Sequence, residues 1–297
     1  MSGPWWAQTL NVAAESAIIP AMDHNRQKKA AIINDYSSFG RCSLGAAVPI
    51  LSAMRVQCCP VPTAIFTNHT GFSHFSYVDM SDRLDAYIDD WKATGLSFSA
   101  IASGYLASVR QIDFVRRFVE VFRAPETVVM VDPVMGDYGR LYPSFKVEVA
   151  EGLRSLLTVA DYLTPNLTEA CILANRPYCD CPTPSVLREI ASVLCEPHAH
   201  GVVISGIPHQ NALVNYVYTR EGEGVEVSVG KIGPDRSGTG DVFMAVVLGA
   251  LVNGDSLEGA VGRAVSFVAH AVEQAENMGI PTTDGLPFEE VLSELWS

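Results

Sequence analysis

The stretch Asp235–Leu251, Asp-Arg-Ser-Gly-Thr-Gly-Asp-Val-Phe-Met-Ala-Val-Val-Leu-Gly-Ala-Leu, joins a glycine-rich turn to an almost wholly apolar run. Gly238 and Gly240 permit a tight turn with exposed amides. A helix beginning at about Asp241 points its unpaired N–H groups and positive dipole end into that turn. Such a turn can hold an anion such as a phosphate. A carboxylate at a helix start is also an ordinary first-turn residue, so the chemistry has to be argued from other residues as well.

Asp132, in Asp-Pro-Val-Met-Gly-Asp, follows the apolar run Thr127 to Val131, and Thr164-Pro-Asn-Leu-Thr-Glu169 follows another and opens a helix. On that helix Asn166 and Glu169 are three apart and can face one point. Asp132, Asn166 and Glu169 could supply the oxygen environment of a divalent cation, directly or through water, as Mg²⁺ prefers when it also bridges phosphates. Each has a plainer alternative: Asp132 caps a turn before proline, and Asn166 with Glu169 forms a helix-capping pair. Beside the Gly-Thr-Gly-Asp turn the cation reading gains weight. The chain has no Gly-x-x-x-x-Gly-Lys-[Ser/Thr] and no Gly-x-Gly-x-x-Gly after a first strand, so a positive field for phosphates has to come from the Gly238 to Asp241 amides and a cation.

Other polar groups read more plainly. Thr63 to Phe72 is dense in donors and acceptors and reads as a hydrogen-bonded loop, with His69 bonded to nearby backbone rather than catalytic, and His74 isolated. Cys171, Cys179, Cys181, Cys195, His198 and His200 raise the question of a zinc site, but their spacing matches no familiar finger or ribbon.

The elements that must position these residues follow from periodicity. Short apolar strands are expected at Lys29 to Asn34, Val56 to Pro62, Phe98 to Ala102, Thr127 to Val131, Asp161 to Leu163 and Gly201 to Ser205. Antiparallel strands follow at Asn211 to Tyr218 and Gly224 to Lys231. Helices are expected over Ser43 to Met54 with Pro49 inside, from Ser81, around Ile112 to Phe122, from about Phe145 to Leu157, from Asp241 and from Asp255. Strands alternating with helices indicate an α/β fold: a mainly parallel central sheet with helices on both faces. Asp35, Ser103, Asp132, Thr164 and Ser205 all fall at or just past strand carboxyl ends, where such folds bind ligands.

With 297 residues, 48% hydrophobic and 18% charged, the chain is long enough for a substantial core. A net charge of −13 with no basic stripe argues against a nucleic-acid or anionic-membrane partner. The seven cysteines show no secreted disulfide spacing, and no apolar run approaches a membrane span, so a reducing cytoplasm is expected. A single folded domain is expected over 28–297, with 1–27 as a loosely docked extension.

Taken in order, Thr67-Asn-His-Thr70, Asp132-Pro-Val-Met-Gly136, Asn166-x-x-Glu169 and Gly238-Thr-Gly-Asp241 before an apolar helix resemble the ribokinase superfamily, and within it the pyridoxal/pyridoxamine kinases. The resemblance covers about Lys29 to Glu276. It implies a three-layer α/β/α fold without a separate lid domain, and transfer of the ATP γ-phosphoryl to the 5′-hydroxymethyl of a vitamin B6 vitamer. Asp241 would be the base, with the Gly238, Thr239 and Gly240 amides stabilising the transferring phosphoryl. Asp132, Thr164 and Glu169 would lie near metal and phosphates, Asp137 near the same phosphates, and Ser205 at the nucleotide. Asp35, Thr63 and Tyr105 would grip the pyridine ring. Mg²⁺, possible use of a monovalent cation such as K⁺, and a homodimer are implied as well. Two positions depart from the pattern: Asp35 stands where many pyridoxal kinases have serine, and Ile65 where many have a ring-contacting glutamine. The hydroxymethylpyrimidine kinases of thiamine synthesis are similar in Asp-Pro-Val-Met and Pro-Asn-x-x-Glu but commonly carry cysteine at the position of Asp241. A non-catalytic sensor of vitamer or nucleotide would have no need of that base.

Overall fold

The computed structural model describes residues 23–142, 145–222 and 224–296. Six parallel strands form the middle of a nine-stranded sheet: β1 (Lys29–Ser37), β2 (Gln57–Phe66), β4 (Ala100–Ser103), β5 (Val128–Val131), β8 (Tyr162–Leu163) and β9 (Gly201–His209). Three further strands pair antiparallel at its edges: β3 (Tyr77–Asp79) on β2, then β10 (Ala212–Thr219) on β9 and β11 (Val225–Gly230) on β10. The order across the sheet is β11-β10-β9-β8-β5-β4-β1-β2-β3. A small hairpin, β6 (Gly136–Asp137) with β7 (Arg140–Leu141), stands apart from it.

Both faces of the sheet are covered, which is why its strands read as continuous apolar runs. Along β1 the side chains alternate: Ala30 and Ile32 join one core cluster, Ala31 and Ile33 the other. The first cluster includes helices α1 (Ser43–Ala53), α7 (Thr239–Asn253) and α8 (Leu257–Met278). The second includes α2 (Leu84–Thr94), α3 (Val109–Phe122), α4 (Val147–Leu153), α5 (Leu167–Leu173) and α6 (Pro184–Cys195). Helix α7 is buried at every position from Val242 to Ala250, so it is a core element on all sides rather than an amphipathic one. Each of its large apolar side chains taken from water contributes roughly 1.5–3 kcal/mol before entropy is counted, and this burial anchors the turn at the helix start.

The expected α/β/α architecture is therefore present, with differences at element ends. β1 runs past Asn34 to Ser37, and β2 takes in Thr63 to Phe66, because these segments pair with each other beyond the expected stop. Two steps along β1, from Asn34 to Tyr36, match three along β2, from Pro62 to Ile65. This bulge re-aims Asp35 and Thr63 beside one another. The helix expected over Phe145 to Leu157 divides into α4 and a 3-10 turn, Arg154–Thr158. α7 begins at Thr239 rather than Asp241, because Gly238, at φ 75°, is the residue that turns the chain into the helix. The edge strand β3 was not anticipated, nor were two further elements. One is α6, which starts on Pro184 with the Thr183 side chain accepting the Val186 amide; the other is the β6–β7 hairpin.

Most of the expected N-terminal extension, 1–27, lies outside the described residues. Within 23–27, Asn25 donates to the Gly95 carbonyl and accepts the Ser97 amide, each at 2.9 Å. Among the described residues no group of three His, Cys, Asp or Glu side chains is arranged to hold a metal. Cys171 and Cys195 are core residues, and His198 faces Asp161 and Arg123. Among the described residues no helix is long and apolar enough to cross a membrane.

Candidate active site

The carboxyl ends of the parallel strands meet the start of α7, and between them lies a cavity of about 400 Å³. Asp132, Asp137, Thr164, Asn166, Glu169, Ser205 and the whole Gly238–Asp241 turn line it. These residues come from four separate segments, and the sheet order gathers them. Another part of the wall is apolar, with Leu213, Val229 and Ile232 from the β10–β11 side and Val265, Val268 and Val272 from α8. One cavity thus combines helix-start amides, carboxylates and an apolar slot.

Gly238 is required where it stands: its φ is positive, and a Cβ there would fall on the Arg41 carbonyl oxygen. Thr239 donates its hydroxyl to the Arg236 carbonyl at 2.8 Å, closing the turn behind the helix start. Asp241 follows as the third helical residue. Burial pushes its carboxyl up to about 6, against hydrogen bonds from the Ser43 amide and the Asn34 side chain that favour the ionised form.

Asp132 and Glu169 are buried. Burial raises Asp132 well above the ordinary carboxylate range, and the negative charges of Glu169 and Asp241 raise it further. Burial pushes Glu169 up to about 8, opposed by amide bonds. Its two oxygens accept the Met135 amide at 3.0 Å and the Asn166 amide at 2.9 Å. The Asn166 side chain accepts the Glu169 amide at 3.0 Å and donates to the Gly136 carbonyl at 2.8 Å. Asn166 and Glu169 therefore form a reciprocal capping box, and both already spend their polar atoms on backbone. The Thr164 hydroxyl, in the cavity wall, has no hydrogen-bond partner among the described residues. A cation cage of Asp132, Asn166 and Glu169 side chains does not fit this arrangement. Asp132 and Glu169, buried, and Asp241, half-buried, have raised pKa values, so together they make a site that gains from added positive charge.

Asp35, Thr63 and Tyr105 cluster outside the cavity's lining, at the ends of β1 and β2 and just past β4. Asp35 is held by two hydroxyls, Ser43 at 2.6 Å and Ser37 at 3.1 Å, while burial raises its carboxyl above the ordinary value. The Thr63 hydroxyl donates to the Tyr105 carbonyl at 3.4 Å and its side chain is buried. Asp241 belongs to both groups, lining the cavity and bonded through Asn34 to the strand ends. Asn34 and Ser43 are residues that sequence reasoning passed over. A polar residue closing the apolar run of β1 was the available signal for Asn34; Ser43 offered none. Tyr142, whose hydroxyl is raised first by burial and then by Glu169, Asp137, Asp132 and Asp241, also lines the cavity and was missed.

His69 takes the bland role expected of it. Its Nε2 donates to the Thr283 carbonyl at 2.7 Å, while Nδ1 accepts the Gly71 amide at 3.1 Å. Both ring nitrogens are occupied by backbone, so His69 braces the loop over the Gly238 turn.

Comparison with known proteins bears on this arrangement. The fold superposes with a TM-score of 0.90 on a Bacteroides thetaiotaomicron protein assigned as a phosphomethylpyrimidine kinase, at 38% identity over 92% of this chain and 96% of that one. A second crystal form of that protein contains pyridoxal. Pyridoxal kinase from Lactobacillus plantarum superposes at 0.84 with 26% identity, over 90% of this chain and 96% of that one. Pyridoxal kinase of Arabidopsis thaliana is 30% identical over 203 residues, 64% of this chain and 63% of the plant protein. The sequence model of the phosphomethylpyrimidine kinase family matches residues 44–284, from the start of α1 through the loop after α8. The chain belongs to the phosphomethylpyrimidine kinase family, within the ribokinase superfamily.

Proposed function

We propose that this protein is an ATP-dependent kinase that phosphorylates the 5′-hydroxymethyl group of a vitamin B6 vitamer. The observation that carries the reading is the position of Asp241, a half-buried carboxyl between a cavity suited to a nucleotide and the Asp35–Thr63–Tyr105 cluster. The vitamer is held by that cluster with its hydroxymethyl oxygen toward Asp241. Asp241 takes the alcohol proton, the oxygen attacks the γ-phosphorus, and ADP leaves. A carboxylate with a pKa near 6 is a competent base at neutral pH. The Gly238, Thr239 and Gly240 amides stabilise charge on the phosphoryl oxygens as it transfers. The apolar wall formed by Val229, Ile232 and Val268 suits a purine base, with Ser205, Thr164 and Asp137 along the phosphate path. Asp132, backed by Glu169, would hold Mg²⁺ through water and phosphate oxygens, and that ion would neutralise charge between the β- and γ-phosphates. A monovalent cation such as K⁺ and a homodimeric assembly belong to the same reading; turnover with and without K⁺ tests the first, and sedimentation tests the second.

A second substrate, hydroxymethylpyrimidine or its phosphate, is favoured by the name of the family. Pyridoxal in a relative sharing 38% of its sequence, and Asp241 rather than cysteine, favour the vitamer. ADP release with Mg-ATP and, separately, pyridoxal, pyridoxamine, pyridoxine and hydroxymethylpyrimidine decides between them. Turnover on the pyrimidine alone would move the protein to thiamine synthesis. Thermal stabilisation by a vitamer without ADP release would make it a sensor. Asp241→Asn is expected to lose roughly 10²–10⁴-fold in turnover while still binding nucleotide.

A further inference from the structure

Asn34 closes the apolar run of β1 and is fully buried. Its side-chain oxygen accepts the backbone amides of Asp35 and Tyr105, each at 2.9 Å. These two bonds decide which end of the side-chain amide is which, because only the oxygen can accept. The NH₂ group is therefore the end that faces Asp241, and it donates to Oδ1 at 3.2 Å. Room for this arrangement exists because residue 104 is glycine: a Cβ there would fall on the Asn34 side chain.

The two kinds of bond are separable. Of the accepting bonds, the one from Asp35 is local to β1 and the one from Tyr105 ties the end of β1 to the segment after β4, and both would form whatever lay beyond. The donating bond reaches a residue 207 positions away and serves no strand pairing. Asp241 receives this donor and, as a second one, the Ser43 amide.

We propose that Asn34 is a positioning residue for Asp241, orienting its carboxylate toward the substrate hydroxyl from the shared end of β1 and β4. This rests on the reading of Asp241 as the base. Because the same Asn34 oxygen holds the Tyr105 amide, one side chain sets the distance between the base and the segment that carries a proposed ring-contacting residue. A change at Asn34 then acts on turnover more than on nucleotide binding.

The test is Asn34→Asp, measured beside Asp241→Asn and the parent protein. Aspartate keeps the shape and the oxygen that accepts the Asp35 and Tyr105 amides, so a strand tie survives. It replaces the donor with an oxygen that, ionised, repels Asp241. The expected result is a fall in kcat of about a hundredfold at neutral pH with KM for ATP within about twofold. The acid limb of the kcat profile moves to higher pH, and the melting temperature falls, because a carboxyl replaces a fully buried amide beside Asp241. Gly104→Ala, which crowds Asn34 without removing it, lowers kcat alone but adds little on top of Asn34→Asp. If Asn34→Asp turned over within about threefold of the parent while Asp241→Asn was inactive, the inference would be overturned and Asn34 would be a strand tie only. Turnover retained by Asp241→Asn would instead overturn the base reading beneath it. Should Asn34→Asp fail to fold, Gly104→Ala decides: a folded variant with unchanged kcat overturns the inference.

Discussion

Ser43 donates its hydroxyl to the carboxylate of Asp35 at 2.6 Å, from a backbone held at φ 49°. Its own amide meanwhile bonds Asp241. One residue at the start of α1 thus serves a carboxylate from β1 and another from α7. A non-glycine residue in the left-handed region costs of order 1–3 kcal/mol and persists only where its surroundings enforce it. Here the enforcing contacts are these two carboxylates.

Ser43→Ala removes a donor to a buried carboxyl, a loss of roughly 1.5–3 kcal/mol for a bond to a charged group. If Asp35 grips the vitamer, KM for the vitamer rises about tenfold or more while KM for ATP holds. Steady-state kinetics with each substrate varied in turn separate the two. An equal rise in both constants would show that Ser43 supports the site as a whole.

The pH dependence of turnover follows from Asp241. As a base it must be ionised, and its carboxyl is raised to about 6. The value of kcat/KM is expected to level off above that pH and fall about tenfold per unit below it. Bound Mg²⁺, which favours the ionised form, moves the limb lower. A limb that stayed in place from low to saturating Mg²⁺ would place the titrating group away from the phosphate cavity.

Stability of the metal-free protein should run the other way. Asp132, Glu169 and Asp241 all have raised values when folded, Glu169 to about 8 and Asp241 to about 6. The folded state therefore binds more protons than the unfolded chain between roughly pH 4 and 8, and its stability is greatest below the unfolded values and declines as pH rises through the folded ones. Thermal melts without divalent ions are expected to show a falling midpoint across that window, and Mg²⁺ with nucleotide to flatten the fall. A midpoint that rose with pH would mean these carboxyls are ionised in the folded protein.

The two glycines of the turn should respond differently. Gly238→Ala meets both a positive φ and the Arg41 carbonyl, and is expected to lose stability by about 1–3 kcal/mol along with activity. Gly240 has no heavy atom within 4 Å of an added Cβ and lies inside the helix. Gly240→Ala should melt no lower than the parent, and about 0.5–1 kcal/mol of helix propensity favours it. If the turn amides hold phosphate as proposed, its methyl group intrudes on that path and nucleotide affinity drops. Calorimetric melts and nucleotide titrations of both variants check this contrast.

Much of this protein is written locally. The Gly238–Asp241 turn and the apolar run after it announce α7, because glycine marks the turn and a helix apolar on every side must be core. The Asn166-x-x-Glu169 spacing encodes the capping box, although its geometry turned those side chains toward backbone and away from direct ligation. Period-2 and period-3.6 patterns gave most strands and helices, and with them a sheet whose carboxyl ends carry Asp35, Asp132 and Thr164. Local pattern did not reveal where strands stop. β1 continues to Ser37 and β2 to Phe66 because each supplies the other's hydrogen bonds, and the bulge between them aims Asp35. Nor did it reveal which residues meet. Asn34 and Asp241, or Ser43 and Asp35, come together only because the sheet order sets β1 between β2 and β4 and lays α1 and α7 on the same face. Periodicity reports the face a residue turns to its neighbours along the chain, whereas a bond across 207 residues is decided by which elements pack together.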